Sequence, residues 1–179
     1  EFRNSFAFAA LRTDGSVVTW GNGSSGGSSS SVATLLDGSV DVTQIFSTNT
    51  AFAALRIDGS VVTWGHSLYG GGSSNVAALL DGSVDVTQVS STGFAFAALR
   101  TDGSVVTWGY NTYGGDSSSL TASLDGSVDV TQIFSTWQAF AALRADGSVV
   151  TWGNSAYGGN SSGVAALLDG SVDVSRIFS

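Results

Sequence analysis

The sequence predicts an all-β fold built from four copies of one unit, and three observations carry that prediction. The octapeptide DGSVVTWG stands at residues 14–21 and returns unchanged at 58–65, 102–109 and 146–153. Trp20, Trp64, Trp108 and Trp152 therefore fall 44 residues apart, as do Arg12, Arg56, Arg100 and Arg144. Around each Asp-Gly pair a short apolar run leads in and a β-branched run follows, which is the local pattern of a hairpin. Repetition at such a period belongs to stacked or radial arrays, where one unit cannot bury its apolar faces alone.

A second series, Asp37, Asp81, Asp125 and Asp169, opens four copies of DGSVDV, and the units divide as 4–47, 48–91, 92–135 and 136–179. Together they form one repeat domain, 4–179. Residues 1–3 are left over as boundary residues, with Glu1-Phe2 reading as a cloning remnant and the chain as an excerpt or a processed product.

Within a unit the first element is a hairpin of AFAALR and SVVTWG. With Asp14 and Gly15 as the two central residues of a type I′ turn, Leu11 faces Val18, Ala9 faces Trp20, Phe8 faces Gly21 and Ala10 faces Thr19, so that large residues meet small ones. Both faces of this hairpin are apolar, so it is expected to be covered on both sides. The next stretch, VATLL or VAALL, has poor β propensity. Val32, Leu35 and Leu36 also fit one helical turn, which leaves strand and short helix both open. SVDVTQIFS closes the unit as a strand.

Three or four antiparallel strands per unit, covered on both faces, point to a four-bladed β-propeller, with a segment of a larger propeller or an open repeat array as the alternative. The final SVDVSRIFS (171–179) is the strand that precedes AFAALR elsewhere, and is placed to complete the first blade and close the ring.

FAALRADGSVVTWGNSAYGG (140–159) resembles the signature of the regulator-of-chromosome-condensation repeat family, roughly A-L-x-x-D-G-x-V-x-x-W-G-x-N-x-x-G-Q-L-G. Ala142, Leu143, Asp146, Gly147, Val149, Trp152, Gly153, Asn154 and Gly158 match it, and the likeness recurs in all four units. The resemblance implies a propeller of four-stranded blades, usually seven, used to bind proteins or nucleic-acid-associated partners. The units here are shorter, lack the Q-L-G and its following proline, and number four. The family's exchange-factor and chromatin roles are therefore not carried over.

A formal charge of −8 repels phosphate backbones and argues against nucleic acid as a partner. The chain has no Cys, which removes disulfides, thiolate metal sites and thiol catalysis; its 42% hydrophobic content argues against disorder. No run of 18 apolar residues is present, so no membrane insertion is expected. His66 is the single histidine and aligns with Asn22, Tyr110 and Asn154, which removes any Ser-His-Asp arrangement. GNGSSG (21–26) matches a dinucleotide fingerprint by chance, since its sister stretches read GHSLYG and GYNTYG. DGSVD (37–41) has the opening of a calcium loop without its later ligands. The sequons at Asn22 and Asn160 matter only in a eukaryotic secretory setting. No cofactor, metal or catalytic residue is assigned.

Variation between units concentrates in the two residues before AF (Ser5-Phe6, Asn49-Thr50, Gly93-Phe94, Trp137-Gln138) and in the four residues after WG, which read NGSS, HSLY, YNTY and NSAY. Successive connections of a meander alternate between rims, so both variable segments share one rim and both Asp-Gly turns share the other. Variable loops on a rigid scaffold are where binding resides. The candidate ligand-binding residues are Phe6, Asn22, Asn49, His66, Tyr69, Phe94, Tyr110, Tyr113, Trp137, Asn154 and Tyr157. The function expected is a non-enzymatic scaffold recognising a protein or glycan, with a purely structural spacer that self-associates through open edge strands as the alternative. The chain is expected to be a monomer if the ring closes and a homo-oligomer otherwise. A hydrolase would need a carboxylate on the variable rim, where only Asp116 falls.

Overall fold

Alternation of Ala with Phe, followed by a β-branched Val-Val-Thr run, gives every unit a hairpin with two apolar faces. The computed structural model describes residues 3–179; Glu1 and Phe2, read above as a remnant, lie outside the described residues. The hairpins are β1 (Ala7–Leu11) with β2 (Val17–Gly21), β4 (Ala51–Arg56) with β5 (Val61–Gly65), β7 (Ala95–Arg100) with β8 (Val105–Gly109), and β10 (Ala139–Arg144) with β11 (Val149–Gly153). The VTQ-containing strands are β3 (Val42–Ser47), β6 (Val86–Ser91) and β9 (Val130–Ser135). They pair antiparallel with β4, β7 and β10, giving sheets β3-β4-β5, β6-β7-β8 and β9-β10-β11 beside a two-stranded β1-β2. Each three-stranded blade thus joins the last strand of one sequence unit to the first two of the next.

The hairpin register differs from the expected one by a single residue. Leu11 pairs with Val17, Ala10 with Val18, Phe8 with Trp20 and Ala7 with Gly21. The expected turn needed positive φ at Asp14 as well as Gly15. Among the described residues only glycines adopt positive φ, and Gly15 does so at 75°. The loop instead spans Thr13-Asp14-Gly15, closed by Arg12 N–H to Ser16 O (2.9 Å) and Gly15 N–H to Arg12 O (3.1 Å). Asp14 Oδ1 accepts from Ser16 N–H (3.1 Å) and Ser16 Oγ (2.6 Å), which fastens this three-residue form. Large therefore meets large: Phe8 stacks on Trp20 at 5.2 Å between ring centroids, and Phe52–Trp64, Phe96–Trp108 and Phe140–Trp152 repeat the pair.

The VAALL stretches are helical turns, not strands. Ser30–Leu35, Ser74–Leu79 and Ser162–Leu167 form 3-10 turns, and the third unit combines Ser118–Leu120 with a short α1 (Thr121–Leu124). Leu36 and Leu80 are buried, and their carbonyls accept from Val17 N–H and Val61 N–H (2.9 Å each). The turn thus covers the blade's outer edge without adding a fourth strand.

The core lies between blades. Phe52, Ala54, Val62 and Trp64 of the second blade pack on Ala7 and Val17 of the first, and the same residue types meet at the next two interfaces. At each, the indole N–H reaches a carbonyl of the preceding unit: Trp64 to Gly26 (3.0 Å), Trp108 to Gly70 (3.0 Å) and Trp152 to Gly114 (3.1 Å). That bond satisfies a buried donor in an otherwise apolar layer. The molecule is a four-bladed propeller segment, open where the sequence suggested a closed ring. Residues 174–179 form no strand and β1 keeps β2 as its one sheet partner. A Phe–Trp stack fills the wedge at each blade-to-blade step, and three such steps do not bring the first and last faces together.

Candidate functional site

Backbone bonding fixes which loops share a rim. The N–H of the residue after Trp-Gly donates to the carbonyl of the residue before Ala-Phe in every unit: Asn22 to Phe6, His66 to Thr50, Tyr110 to Phe94 and Asn154 to Gln138, at 2.9–3.0 Å. Both variable segments therefore lie together. On the far rim the two kinds of Asp-Gly turn lie against one another, with a Cβ built at Gly38 falling 2.6 Å from Asp14 O.

A latch that sequence reasoning missed holds the variable segments down. Thr48 and Thr92 are fully buried. Thr92 Oγ1 accepts from Phe94 N–H (3.2 Å) and Ala95 N–H (3.0 Å) and donates to Tyr113 O (3.2 Å). Thr48 and Thr136 make the same reach to Tyr69 O and Tyr157 O, and Asn4 serves the first unit through Ser25 O. The signal was present as the Ser-Thr before each variable pair in the last three units. A second missed feature links the blades. Ser5 N–H donates to Asn49 O, Asn49 N–H to Gly93 O and Gly93 N–H to Trp137 O, at 2.9–3.0 Å. Positions with varied side chains thus carry an unvaried backbone strap.

On this support six candidate residues of units two to four, His66, Tyr69, Phe94, Tyr110, Tyr113 and Trp137, form one aromatic row. His66 lies 4.6 Å from Tyr69, and Tyr69 lies 5.4 Å from Phe94 and 5.7 Å from Tyr110, between ring centroids. Phe94 meets Tyr113 at 5.0 Å and Trp137 edge-on at 5.6 Å, and Tyr110 leans on Tyr113 at 5.0 Å. Trp137 also covers Gly93, where a Cβ would fall 3.1 Å from its ring. Tyr110 and Trp137 remain exposed, and the exposed Leu68 lines, with Gly109, Tyr110, Asn111 and Thr112, a recess of about 290 Å³.

The remaining candidates stand apart from that row. Phe6 and Tyr157 are exposed on the terminal blades. Asn22 and Asn154 cap their own 3-10 turns, accepting from Ser25 N–H (3.1 Å) and Ala156 N–H (3.0 Å). Asn49 is half-buried and takes part in the backbone strap.

The other motifs resolve into local structure. In GNGSSG the amides of Asn22, Ser25 and Gly26 are taken by the Phe6, Asn22 and Gly23 carbonyls, which makes the stretch a capped 3-10 turn. Asp37 Oδ1 accepts from Ser39 N–H at 2.8 Å, making the DGSVD opening an Asx turn. Asp116 Oδ1 accepts from Ser118 N–H at 2.9 Å. That backbone bond, with one from the Ser118 hydroxyl, holds its carboxyl below the ordinary range. His66 Nδ1 is buried without a hydrogen-bond partner. Among the described residues no three His, Asp or Glu side chains gather as a metal site, and no helix is long and apolar enough to cross a membrane.

Residues 86–114, one strand–hairpin–loop passage, match the family described as Regulator of chromosome condensation (RCC1) repeat. Similar solved structures include human WBSCR16 (22% identity, TM-score 0.55, 84% of this chain and 46% of that one). Prp20p of Saccharomyces cerevisiae is similar at 18% identity and TM-score 0.57, over 85% of this chain and 43% of that one. The ectodomain of the Physcomitrella patens receptor kinase CR4 is similar at 16% identity and TM-score 0.53, over 85% and 38%. The chain spans less than half the length of each of these three. No curated protein matches the sequence.

Proposed function

We propose, for a chain built of RCC1-like propeller repeats, that the variable rim is a protein-recognition surface and the remainder is the non-enzymatic scaffold that carries it. The observation behind this reading is the continuous aromatic row from His66 to Trp137, with Tyr110, Trp137 and Leu68 exposed along it. Aromatic side chains with polar tips, on a rigid support and poor in charge, are the residues that dominate protein interfaces. The rings lean on one another at interplanar angles of 31° to 80°, which offers irregular relief in place of the flat ring face that a sugar stacks on. Among the solved neighbours, Prp20p is described together with its binding to Gsp1p and histones, and yeast RCC1 (Prp20) bound to Kap60. That precedent concerns protein partners of a similar fold.

The chemistry of the rim supports recognition over turnover. Asp116, the one carboxylate expected there, caps a turn and is held ionised, so it offers no proton at neutral pH. The net charge of −8 favours encounter with a neutral or basic partner.

The test is selection from a displayed peptide library by the immobilised chain, alongside retention on cellulose, chitin and laminarin. Peptides enriched by the native chain and released by Trp137→Ser or Tyr110→Ser support the reading. Retention on a polysaccharide alone would assign the rim to glycans, and enrichment insensitive to both substitutions would remove the rim from function.

A further inference from the structure

The flank of the molecule is not the same at every junction between units, and the second junction stands apart. There the helical turn Ser74–Leu79 of the second unit faces β8 of the third. A recess of about 470 Å³ opens between them, lined by Val76, Leu79, Val105 and Val106, with Asp116. Leu79, Val105 and Val106 continue into a second recess of about 260 Å³, which reaches Arg100, Asp102 and Asp125. Asn111 joins the first of these to the recess beside Tyr110. Together they form one seam along β8, from the variable rim to the repeated rim. Both of its walls belong to internal units.

The repeat shows what sets this seam apart. Leu79 is 43% exposed and Asp116 is exposed opposite it. The same two positions hold Leu35 and Gly72 at the junction before, and Ser123 and Asn160 at the one after. Of the three junctions, the second alone combines an apolar side chain with a carboxylate there. Arg100 is matched by Asp102 at 3.4 Å, whereas Asp116 and Asp125 stand outside the four Arg–Asp pairs. Backbone and hydroxyl bonds from Ser118 and Ser127 hold these two carboxyls below the ordinary range, so both are ionised at neutral pH. Asn75 and Asn111 are exposed on the seam, and among the described residues their side-chain amides make no bond within the chain.

We infer that this seam is a second binding site, for an extended segment of a partner protein in which apolar and basic residues alternate. An extended chain sends successive side chains to opposite sides, so its apolar set packs on Leu79, Val105 and Val106. The basic side chains between them are long enough to bend to Asp116 and Asp125 at the edge. Asn75 and Asn111 offer donors and acceptors to the segment's main chain. β8 has five residues, so about six extended residues fill the seam. The unpaired carboxylates attract a lysine- or arginine-bearing segment and repel an acidic one. This site is separate from the aromatic row and does not depend on the rim's role in recognition.

The experiment is selection of a displayed random peptide library on the full chain, followed by fluorescence anisotropy with the enriched peptides made synthetically. A class alternating apolar residues with lysine or arginine is expected. Leu79→Lys should weaken its binding about tenfold or more, and Asp116→Asn, which keeps the turn-capping oxygen, about three- to fivefold. Leu35→Lys, the same change one unit earlier, and Trp137→Ser, on the aromatic row, should each leave it unchanged. Circular dichroism matching the native chain confirms folding, and Asn75→Lys is the second seam variant should Leu79→Lys not fold. Enrichment without a basic and apolar class, binding that Leu79→Lys and Asn75→Lys leave intact, or equal loss through Leu35→Lys would each overturn the inference. Peptides released by Trp137→Ser alone would overturn it too, while leaving the rim reading in place.

Discussion

The two rims of the blades are built at opposite ends of the same strands, yet one is repeated almost letter for letter and the other is not. On the Asp-Gly rim the side chain, the backbone and the neighbouring turn all depend on each other. Gly103, at φ +74°, sits against Asp129 so closely that a Cβ would fall 2.5 Å from its carboxylate, while Asp102 holds Ser104 by its amide and hydroxyl. On the other rim the holding is done by a buried Thr and by backbone bonds, so the side chains between are free to differ. Repetition therefore marks where geometry leaves one residue, and variation marks where support comes from elsewhere.

The widest separation between the rims is expected from Gly103→Val. It combines a left-handed backbone with a clash against Asp129, and unfolding free energy measured by urea titration should fall by about 3 kcal/mol or more. Thr92→Val tests the latch. It preserves shape and strands two amides and a carbonyl, so a loss of about 1–3 kcal/mol is expected in the same titration.

Acid probes chiefly the repeated rim, where every depressed carboxyl but that of Asp116 lies. Hydrogen bonds from Ser16, and after them the Arg12 charge, hold Asp14 below its ordinary 3.8; the Ser39 bonds do the same for Asp37. At Asp58 and Asp102 burial pushes upward, and the Ser60 and Ser104 bonds with the Arg56 and Arg100 charges outweigh it. A carboxyl with a depressed folded pKa contributes stability above its unfolded value, and that contribution is lost as pH falls through the folded value. The urea midpoint should hold steady from pH 7 to 5 and decline below about pH 4. The smallest effect belongs to the variable rim: Tyr110→Ser, at an exposed ring, should change stability by less than about 1 kcal/mol.

Much of this was legible in the sequence. The repeat, the strand positions and the sharing of a rim by both variable segments follow from spacing and parity. The hairpin register was not legible, because Asp14 followed by Gly15 fits a two-residue and a three-residue turn equally, and only the Ser16 bonds to Asp14 select between them. VAALL was undecided because Ala and Leu suit a helical turn while the neighbouring pattern is β; edge coverage decides it. The aromatic row was half-visible. Tyr69, Tyr113 and Tyr157 share one repeat position, yet only the first two join the row, since ring contact depends on Phe94 and Trp137 rather than on the period. The Thr latch was not legible although Ser-Thr precedes the variable pair in the last three units, because in a Ser-rich chain that pair does not tell that its threonine is buried and bonded to the next loop.

The most direct measurement is a loop graft within the chain. The first unit's Asn-Gly-Ser-Ser is placed in the third by Tyr110→Asn, Asn111→Gly, Thr112→Ser and Tyr113→Ser, and unfolding is followed beside peptide binding. If the variable rim is display on an independent framework, stability should stay within about 1.5 kcal/mol of the native chain while binding by the rim is lost. Collapse of the folding transition, or binding that survives the graft, would contradict that division of the molecule.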